Sequence, residues 1–439
     1  MNTHKNLILA ELNEINFDVV QTYCSKHSEL TNFKKLFQMG VSTTDSERKY
    51  EDLEPWVQWV SVHTGRKYLD HKVFRLGDIV KCQYEQIFEV IESSGNTVGV
   101  LGAMNTENRL KKPTYFIPDA WTDTKSDGSL FSKAFTSVLR QTVNENTAGR
   151  ISLYSLATLF ITFIFKINYQ HKIEILKLVK NRKNRKWYKA LVLDLLISGV
   201  HEQLFRSKKT DFSTVFFNAF AHIQHHYFFS AKLIDIPNEL RAAAGQNHDH
   251  DPLLDCMKVY DFIIGRLLKL NSPIIFATAL SQIPYIKLKY YYRLKNHEKF
   301  LKDQNIKFKK VYPRMTRDFL ITFENNDDRD LCIKALKSID VEKFSKLFTE
   351  FEIAEHELFV TMGFPNKINE DTRFGYTIDE NGKRVSEPLL PYVDLVDLKN
   401  GMHCQTGYFI ATPDVKINTD TSFGNITNIH NVILNHFKN

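Results

Sequence analysis

The sequence contains few cysteines and no motif that would bind a structural metal through them. Five are scattered over 439 residues without a CxxC pair, namely Cys24, Cys82, Cys256, Cys332 and Cys404. An odd number of widely spaced cysteines argues against a disulfide framework and against a structural zinc site. We therefore expect reduced thiols and a cytoplasmic protein.

Long apolar runs are also missing. The first run ends at Glu11, which makes it too short for the core of a signal peptide, and another covers the fifteen residues 151–165. A helix that crosses a bilayer needs roughly 20 apolar residues. The remaining membrane role is a peripheral one, at the inner membrane face.

Positive charge is in mild excess. The chain has 58 Lys and Arg against 51 Asp and Glu, a formal net charge of +7, with 43% hydrophobic residues. This composition fits a large globular domain with a smaller one beside it. The charge favours anionic partners such as phosphorylated ligands or an acidic membrane surface. Together with the basic insertion described below, it leads us to expect an anionic small-molecule or lipid-linked saccharide substrate. We expect no nucleic-acid partner, because no recognisable nucleic-acid module surrounds the basic residues.

Short apolar runs alternate with helical segments along much of the chain. The runs lie at 6–10, 96–105, 213–223 and 272–282, and helical patterns precede the second and fourth of them. This alternation predicts an α/β fold with a mostly parallel sheet flanked by helices. Ligands of such sheets bind beyond the carboxyl ends of the strands.

Three regions differ in character. We assign residues 1–127, 211–284 and 390–439 to the core, residues 128–210 to a helical basic insertion, and residues 285–389 to a small α+β subdomain of ferredoxin-like type. From Lys172 to Lys189 the insertion carries eight Lys or Arg against one Glu. This stretch is either a solvated basic face or, over residues 151–189, a surface that contacts anionic lipid or a polyanionic substrate.

Polar residues cluster where the predicted strands end. After the first strand come Glu11, Asn13 and Glu14, more carboxylates and amides than helix capping requires. The third strand is followed by Asn218 and a histidine cluster, and the fourth by uncharged polar residues. The catalytic candidates are Glu11, Glu14, His222, His225, His226 and His403, and the substrate-binding candidates are Asn13, Asn218, Thr64, Asp119, Ser281, Gln282, Arg314 and Arg317.

The order of these features resembles the alkaline-phosphatase-like superfamily, in particular its type I phosphodiesterase/nucleotide pyrophosphatase and sulfatase-related branches. The first strand ends in Glu11-Leu12-Asn13-Glu14 where the family has an Asp metal ligand, and residues 54–71 resemble the nucleophile segment with Thr64-Gly65 and His71 in register. His403 matches the last histidine of the family.

The departures from the family pattern are specific. Pro55 stands where the family has its nucleophilic Thr or Ser, and residues 278–282 replace the second Asp-His pair. With most metal ligands lost, the resemblance implies no metal or a single divalent one, held by Glu11, His225 and His403, with Asn13 as an alternative to Glu11.

Three functions remain open from the sequence. The first is a transferase or hydrolase acting on a phosphorylated, nucleotide-activated or lipid-linked saccharide, with Glu11 or Glu14 as base; glycosyl transfer in surface-polysaccharide assembly is included in it. The second is a conventional metal-dependent phosphodiesterase, phosphatase or sulfatase. The third is a non-catalytic protein that binds a ligand or partner.

Overall fold

The computed structural model of the chain describes residues 6–144, 152–245, 250–314, 317–342, 345–377, 384–417 and 424–438. The chain divides into two compact units. The first unit comprises Met1–Ile236, Gln246–Pro284 and Gly401–Asn439, and the second comprises Pro237–Gly245 and Tyr285–Asn400.

The strands and helices are labelled in chain order. The strands are β1 (Leu7–Leu12), β2 (Ser42–Asp45), β3 (Val98–Leu101), β4 (Tyr115–Ile117), β5 (Phe212–Phe217), β6 (Ile274–Ala277), β7 (Ser281–Pro284), β8 (Tyr290–Leu294), β9 (Lys310–Pro313), β10 (Asp318–Thr322), β11 (Asp340–Val341), β12 (Ser345–Lys346), β13 (Phe348–Ala354), β14 (Glu357–Met362), β15 (Arg373–Thr377), β16 (Arg384–Pro388), β17 (Val393–Leu398), β18 (Gly401–Cys404) and β19 (Thr406–Ala411). The helices are α1 (Phe17–Lys26), α2 (Thr31–Met39), α3 (Pro55–Thr64), α4 (Tyr68–His71), α5 (Ile87–Ser93), α6 (Leu130–Asn144), α7 (Leu153–Ile161), α8 (Tyr169–Lys180), α9 (Tyr188–Lys208), α10 (Ala219–Tyr227), α11 (Asn238–Ala243), α12 (Pro252–Leu268), α13 (His297–Asp303), α14 (Asn326–Ser338) and α15 (Asn428–Phe437).

A seven-stranded sheet forms the centre of the first unit, in the order β2-β19-β6-β1-β5-β3-β4. The strands β6, β1, β5, β3 and β4 run parallel, whereas β19 pairs antiparallel with β6 and with β2. This confirms the predicted mostly parallel sheet. All four predicted apolar runs overlap one of its strands.

Both faces of this sheet are covered by apolar side chains. Ile8, Ala10 and Leu12 of β1 belong to the core on one face, together with residues of α1, α9, α10 and α12. Leu7 and Leu9 belong to the core on the opposite face, which α3, α5 and α15 complete. Successive side chains of a strand point to opposite faces, so a strand buried on both sides is apolar throughout.

The described part of residues 128–210 is mostly helical, as predicted. It contains α6, α7, α8 and α9, with a π-helical turn at Thr162–Lys166 that continues α7. Across the described residues, no helix has the length and apolarity needed to cross a membrane.

The second unit has the predicted α+β character. Its sheets are antiparallel, in the orders β13-β14-β10-β9 and β12-β11-β15-β16, and α13 and α14 contribute to a separate core around Phe300, Phe319, Phe348 and Phe374. The unit extends to Asn400, beyond the boundary at residue 389 that we drew from the sequence. The reason is that β17 pairs with β8.

Candidate active site

The turn after β1 holds Glu14 in an unusual backbone conformation. Glu14 has φ +60°, in the left-handed region that non-glycine residues seldom occupy. Two strand ends fix this turn, because the Asn13 amide donates to the Phe217 carbonyl at 3.1 Å and the Glu14 amide donates to the Thr278 carbonyl at 3.3 Å. A strained residue held by its surroundings at the carboxyl edge of a sheet is typical of a functional site.

The side chain of Glu14 meets two histidines from different parts of the chain. His225 Nε2, from α10, lies 3.2 Å from Glu14 Oε2, and His403 Nε2, from β18, lies 3.3 Å from the same oxygen. The two imidazole rings are 5.2 Å apart between centroids and inclined at 76°. The strand-end loops therefore direct a carboxylate and two ring nitrogens toward one point.

Amide side chains orient the Glu14 carboxylate. Asn13 Nδ2 donates to Oε1 at 3.1 Å, and Gln282 Nε2 donates to Oε2 and also to the Ala221 carbonyl at 3.1 Å. Glu54 lies on the far side of His403, with its Oε2 atom 3.8 Å from Nδ1. The carboxylate is therefore held in one orientation by groups that cannot themselves ionise.

Protonation in this cluster follows from burial and proximity. Burial raises the pKa of Glu14, but the nearby His403 and His225 outweigh this effect and hold the pKa well below its usual range. Burial lowers the pKa of His225, and the opposing attraction of Glu14 does not offset it. At neutral pH the cluster thus offers an ionised carboxylate and a neutral His225 imidazole.

These three side chains fit a single divalent cation. Glu14, His225 and His403 each place one ligand atom within 4.8 Å of the others. Two histidines and one carboxylate form a known ligand set for catalytic zinc, and both ligand types bind in the protonation states described above. Over the described ranges, no second group of three such side chains meets the same condition.

A cavity lies beyond the ends of β3, β4 and β5, and its lining residues do not include Glu14, His225 or His403. It has a volume of about 340 Å³, and apolar side chains of α6 and α9 form much of its wall. Lys186, Lys189 and His222 line it, and so does Asn218, whose Oδ1 atom accepts a hydrogen bond from Asn13 Nδ2 at 2.8 Å. Asn13 therefore connects the cavity to the Glu14 carboxylate.

Glu11 lies in the hydrophobic core and does not join the two histidines. Its Oε1 atom lies 2.9 Å from His63 Nε2, with both side chains fully buried, and accepts a hydrogen bond from Thr214 at 2.8 Å. The sequence placed Glu11 in a possible metal set with His225 and His403. In the structure Glu14 occupies that place, because Glu11 belongs to the strand and points toward α3.

The other histidines of α10 are close to each other. The rings of His222 and His226 are 4.5 Å apart between centroids. Burial, with smaller effects of His226, His225 and Lys189, lowers the pKa of His222 to about 3. His222 is therefore a neutral group on the cavity wall.

The remaining candidates have varied surroundings. Thr64 is buried, and its hydroxyl donates to the Val60 carbonyl at 2.7 Å. Asp119 lines the cavity, but its carboxylate accepts the backbone amides of residues 105, 121 and 122 and so shapes the loop. Ser281 is buried in β7 beside Gln282. Arg314 and Arg317 belong to the second unit, where the Arg317 guanidinium lies 4.7 Å from the centroid of the Tyr291 ring.

Sequence reasoning missed Glu54, and it did not connect Lys186 and Lys189 with the cavity. Glu54 was not predicted because attention fell on its neighbour Pro55 at the family's nucleophile position. Pro55 occupies the first turn of α3, a position that suits proline. The two lysines belong to the basic run that the sequence does show. Only the packing of α9 beside the sheet edge brings them to the site.

Comparisons with known proteins give matches at the level of structure. No protein-family model and no curated protein matches the chain. Phosphonoacetate hydrolase from Sinorhizobium meliloti 1021, in complex with phosphonoformate, matches over 99% of this chain and 96% of its own, with 11% identity and a TM-score of 0.44. Murine ectonucleotide pyrophosphatase/phosphodiesterase 5 matches over 98% and 94%, with 9% identity and a TM-score of 0.37. Alkaline phosphatase from the Antarctic bacterium TAB5 matches over 68% and 84%, with 12% identity and a TM-score of 0.32.

By name, these solved structures are a hydrolase, a pyrophosphatase/phosphodiesterase and a phosphatase, and each is a protein to which this chain is similar in structure.

Proposed function

We propose that the protein is an enzyme that cleaves a phosphate-linked saccharide, phosphorylated or nucleotide-activated, at a P–O bond. The phosphorus-bearing group passes to water or to an acceptor hydroxyl. The observation that carries this proposal is the convergence of Glu14, His225 and His403 on one point at the carboxyl edge of the sheet. The lysine-lined cavity, which Asn218 and Asn13 connect to this point, supports it.

The cavity suits the anionic part of such a substrate. Lys186 and Lys189 place positive charge on its wall, while the neutral His222 and the Asn218 amide offer hydrogen bonds without negative charge. Cationic side chains at the mouth of a cleft with apolar walls raise the local concentration of an anionic ligand. Trp121 and Tyr227 also line the cavity and offer flat apolar surface to a sugar or a base.

The cluster suits the reacting phosphate. Glu14, His225 and His403 would hold a single divalent cation, which when bound would polarise a phosphoryl oxygen and stabilise developing negative charge. Asn13 and Gln282 keep the carboxylate in place through their hydrogen bonds. Glu14 itself is a poor base, since its pKa lies well below its usual range. Its role is therefore to bind and orient, which differs from the base expected from the sequence.

We propose direct attack on phosphorus without a covalent enzyme intermediate. Pro55 offers no nucleophile, and the Thr64 hydroxyl is buried and donates to a carbonyl of its own helix. Direct attack by water or by an acceptor hydroxyl accounts for the reaction without an enzyme nucleophile.

Turnover of two phosphate-linked probes tests the proposal. Purified protein supplied with Zn²⁺ or Mn²⁺ is incubated with UDP-glucose and with bis(p-nitrophenyl) phosphate. We expect UMP and glucose 1-phosphate from the first probe or p-nitrophenol from the second, at a rate that falls at least about 100-fold in Glu14→Gln.

The products distinguish the other functions. Release of UDP with transfer of glucose would show cleavage of the C–O bond, that is, glycosyl transfer. Absence of turnover of every probe, with and without acceptor sugars, or equal rates in the wild type and Glu14→Gln, would contradict the proposal and favour a binding protein.

A further inference from the structure

We propose that the surface formed by α7, the π-helical turn and the start of α8 binds to an anionic lipid bilayer. We call it the α7–α8 surface, and define it by its exposed apolar side chains: Leu153, Tyr154, Leu156, Phe160, Ile161, Ile164, Phe165 and Tyr169. Residue 151 is the first residue of the region 151–189, for which contact with anionic lipid is one of two interpretations of the sequence. It lies outside the described residues.

The polarity of α7 is inverted relative to a helix that packs on a protein core. Its buried side chains are Ser155 and Thr158, and Thr162 is buried in the turn that follows. Their apolar neighbours point outward, with Leu153 86% exposed, Phe160 65% and Phe165 71%. A helix of a soluble domain normally turns its apolar face inward. The solvent-facing side of α7 is therefore suited to an apolar environment.

The buried hydroxyls of α7 and of the turn after it find partners within the helix. Thr158 Oγ1 donates to the Tyr154 carbonyl at 2.9 Å, and Thr162 Oγ1 donates to the Thr158 carbonyl at 2.7 Å. Each hydroxyl is thus satisfied within the helix, and the small side chains allow close packing against neighbouring elements. Among the apolar residues of α7, Leu159 is partly buried against the core, whereas Phe160 and Ile161 remain exposed.

The positive charge of the segment that follows Tyr169 favours an anionic membrane as the partner of this surface. Seven Lys or Arg follow Tyr169 before α9 begins, against the single Glu174, and most of these cationic side chains are exposed. An exposed apolar face followed by a cationic segment is typical of elements that insert into the headgroup region of anionic membranes. Protein–protein interfaces instead lose charged residues toward their centre.

The α7–α8 surface is connected to the proposed active site. α6 packs against α7 and contributes Leu139 and Val143 to the wall of the cavity, while the basic segment ends at Lys186 and Lys189 on the same wall. A protein bound through this surface would hold its cavity close to the lipid headgroups. If the proposed function holds, its substrate is therefore a phosphate-linked saccharide carried on a lipid; this consequence alone rests on that function.

Vesicle binding tests the inference. The full chain is sedimented with vesicles of phosphatidylcholine alone and with vesicles that also contain phosphatidylglycerol. We expect binding to the mixed vesicles and little to phosphatidylcholine. Phe160→Ser/Phe165→Ser should weaken it at least about tenfold, and each lysine removed in Lys180→Ala/Lys183→Ala should weaken it about fivefold.

The matched control removes exposed apolar side chains elsewhere. Leu69→Ser/Leu331→Ser changes two side chains that are also exposed, and it should bind vesicles like the wild type. Thermal unfolding and gel filtration accompany each variant, because an unfolded variant would also fail to bind.

Three results would overturn the inference. They are failure of the wild type to bind either vesicle, equal loss in the control variant, and a wild-type oligomer that Phe160→Ser/Phe165→Ser converts to monomers. The last result would show that a second copy of the chain covers the surface. Turnover of the water-soluble probes is measured in parallel, so that failure of membrane binding is separable from failure of the proposed function.

Discussion

The Nε2 atom of His225 lies 3.2 Å from the Oε2 atom of Glu14, although 211 residues of sequence separate the two. Glu14 reaches this position from a left-handed turn at the end of β1, and His225 from the second turn of α10 after β5. Because β1 and β5 are neighbouring parallel strands, their carboxyl ends bring the two side chains together. His403, from β18, completes the cluster.

Glu11, in β1, and Glu14, after it, should differ in their effect on turnover. Glu14→Gln should lower turnover at least about 100-fold, because it keeps the shape of the side chain and removes its charge from the site. Glu11→Gln should retain turnover but lose stability, since Glu11 is paired with His63 inside the core. Steady-state kinetics and urea unfolding of both variants test this pair, and the reverse pattern would place the site at Glu11.

The lysines of the cavity should contribute to binding more than to the chemical step. Lys186→Ala/Lys189→Ala should raise KM for UDP-glucose about tenfold and leave kcat within about a factor of two. The reason is that charges which contact the substrate equally in the ground state and in the transition state affect binding alone. Lys133→Ala/Lys208→Ala removes two exposed lysines away from the cavity and is the control. A fall in kcat with KM unchanged would mean that the two lysines act in the transition state.

Acid should destabilise the core through histidines that are buried in their neutral form. Burial lowers the pKa of His201 to about 3 against a weaker opposing effect of Glu202, and its Nε2 atom lies 2.7 Å from the Ser213 hydroxyl. The unfolded chain therefore takes up this proton first, near pH 6.5. The stabilisation that comes from the neutral, buried His201 is complete above about pH 6.5. It is lost as the pH falls toward the pKa that His201 has in the folded protein.

Urea unfolding as a function of pH measures this effect. Between about pH 6 and 4, the free energy of unfolding should depend less steeply on pH in His201→Gln than in the wild type. The two slopes should differ by about 1.4 kcal/mol per pH unit. His356→Asn, at an exposed position with φ +56° that asparagine tolerates, should leave the slope unchanged. Identical slopes in His201→Gln and the wild type would show that His201 is not the group responsible.

The fold was predictable because its strands are buried on both faces. Parallel strands covered by helices have nearly continuous apolar sequences, and each predicted run overlaps a strand of the central sheet. The end of the second unit was harder to place. Its limit at Asn400 depends on the pairing of β17 with β8, a contact between segments about a hundred residues apart.

The sequence predicted the individual residues of the site but not which of them lie together. The sequence singled out Glu14, His225 and His403, but it ranked Glu11 as their equal. Alternation along β1 distinguishes the carboxylates: Glu11 continues the face of Leu7 and Leu9, whereas Glu14 follows the strand. The partner that satisfies Glu11, His63, lies on α3, so that only tertiary structure reveals the buried pair.

Metal content tests the central claim most directly. The protein is purified, loaded with Zn²⁺, freed of excess metal and measured by mass spectrometry, beside Glu14→Gln/His403→Asn and the control His356→Asn. If Glu14, His225 and His403 form one cation site, the wild type and the control bind one zinc ion per chain, and the double variant binds almost none. No stoichiometric zinc in the wild type, two ions per chain, or equal zinc in the double variant would contradict the account.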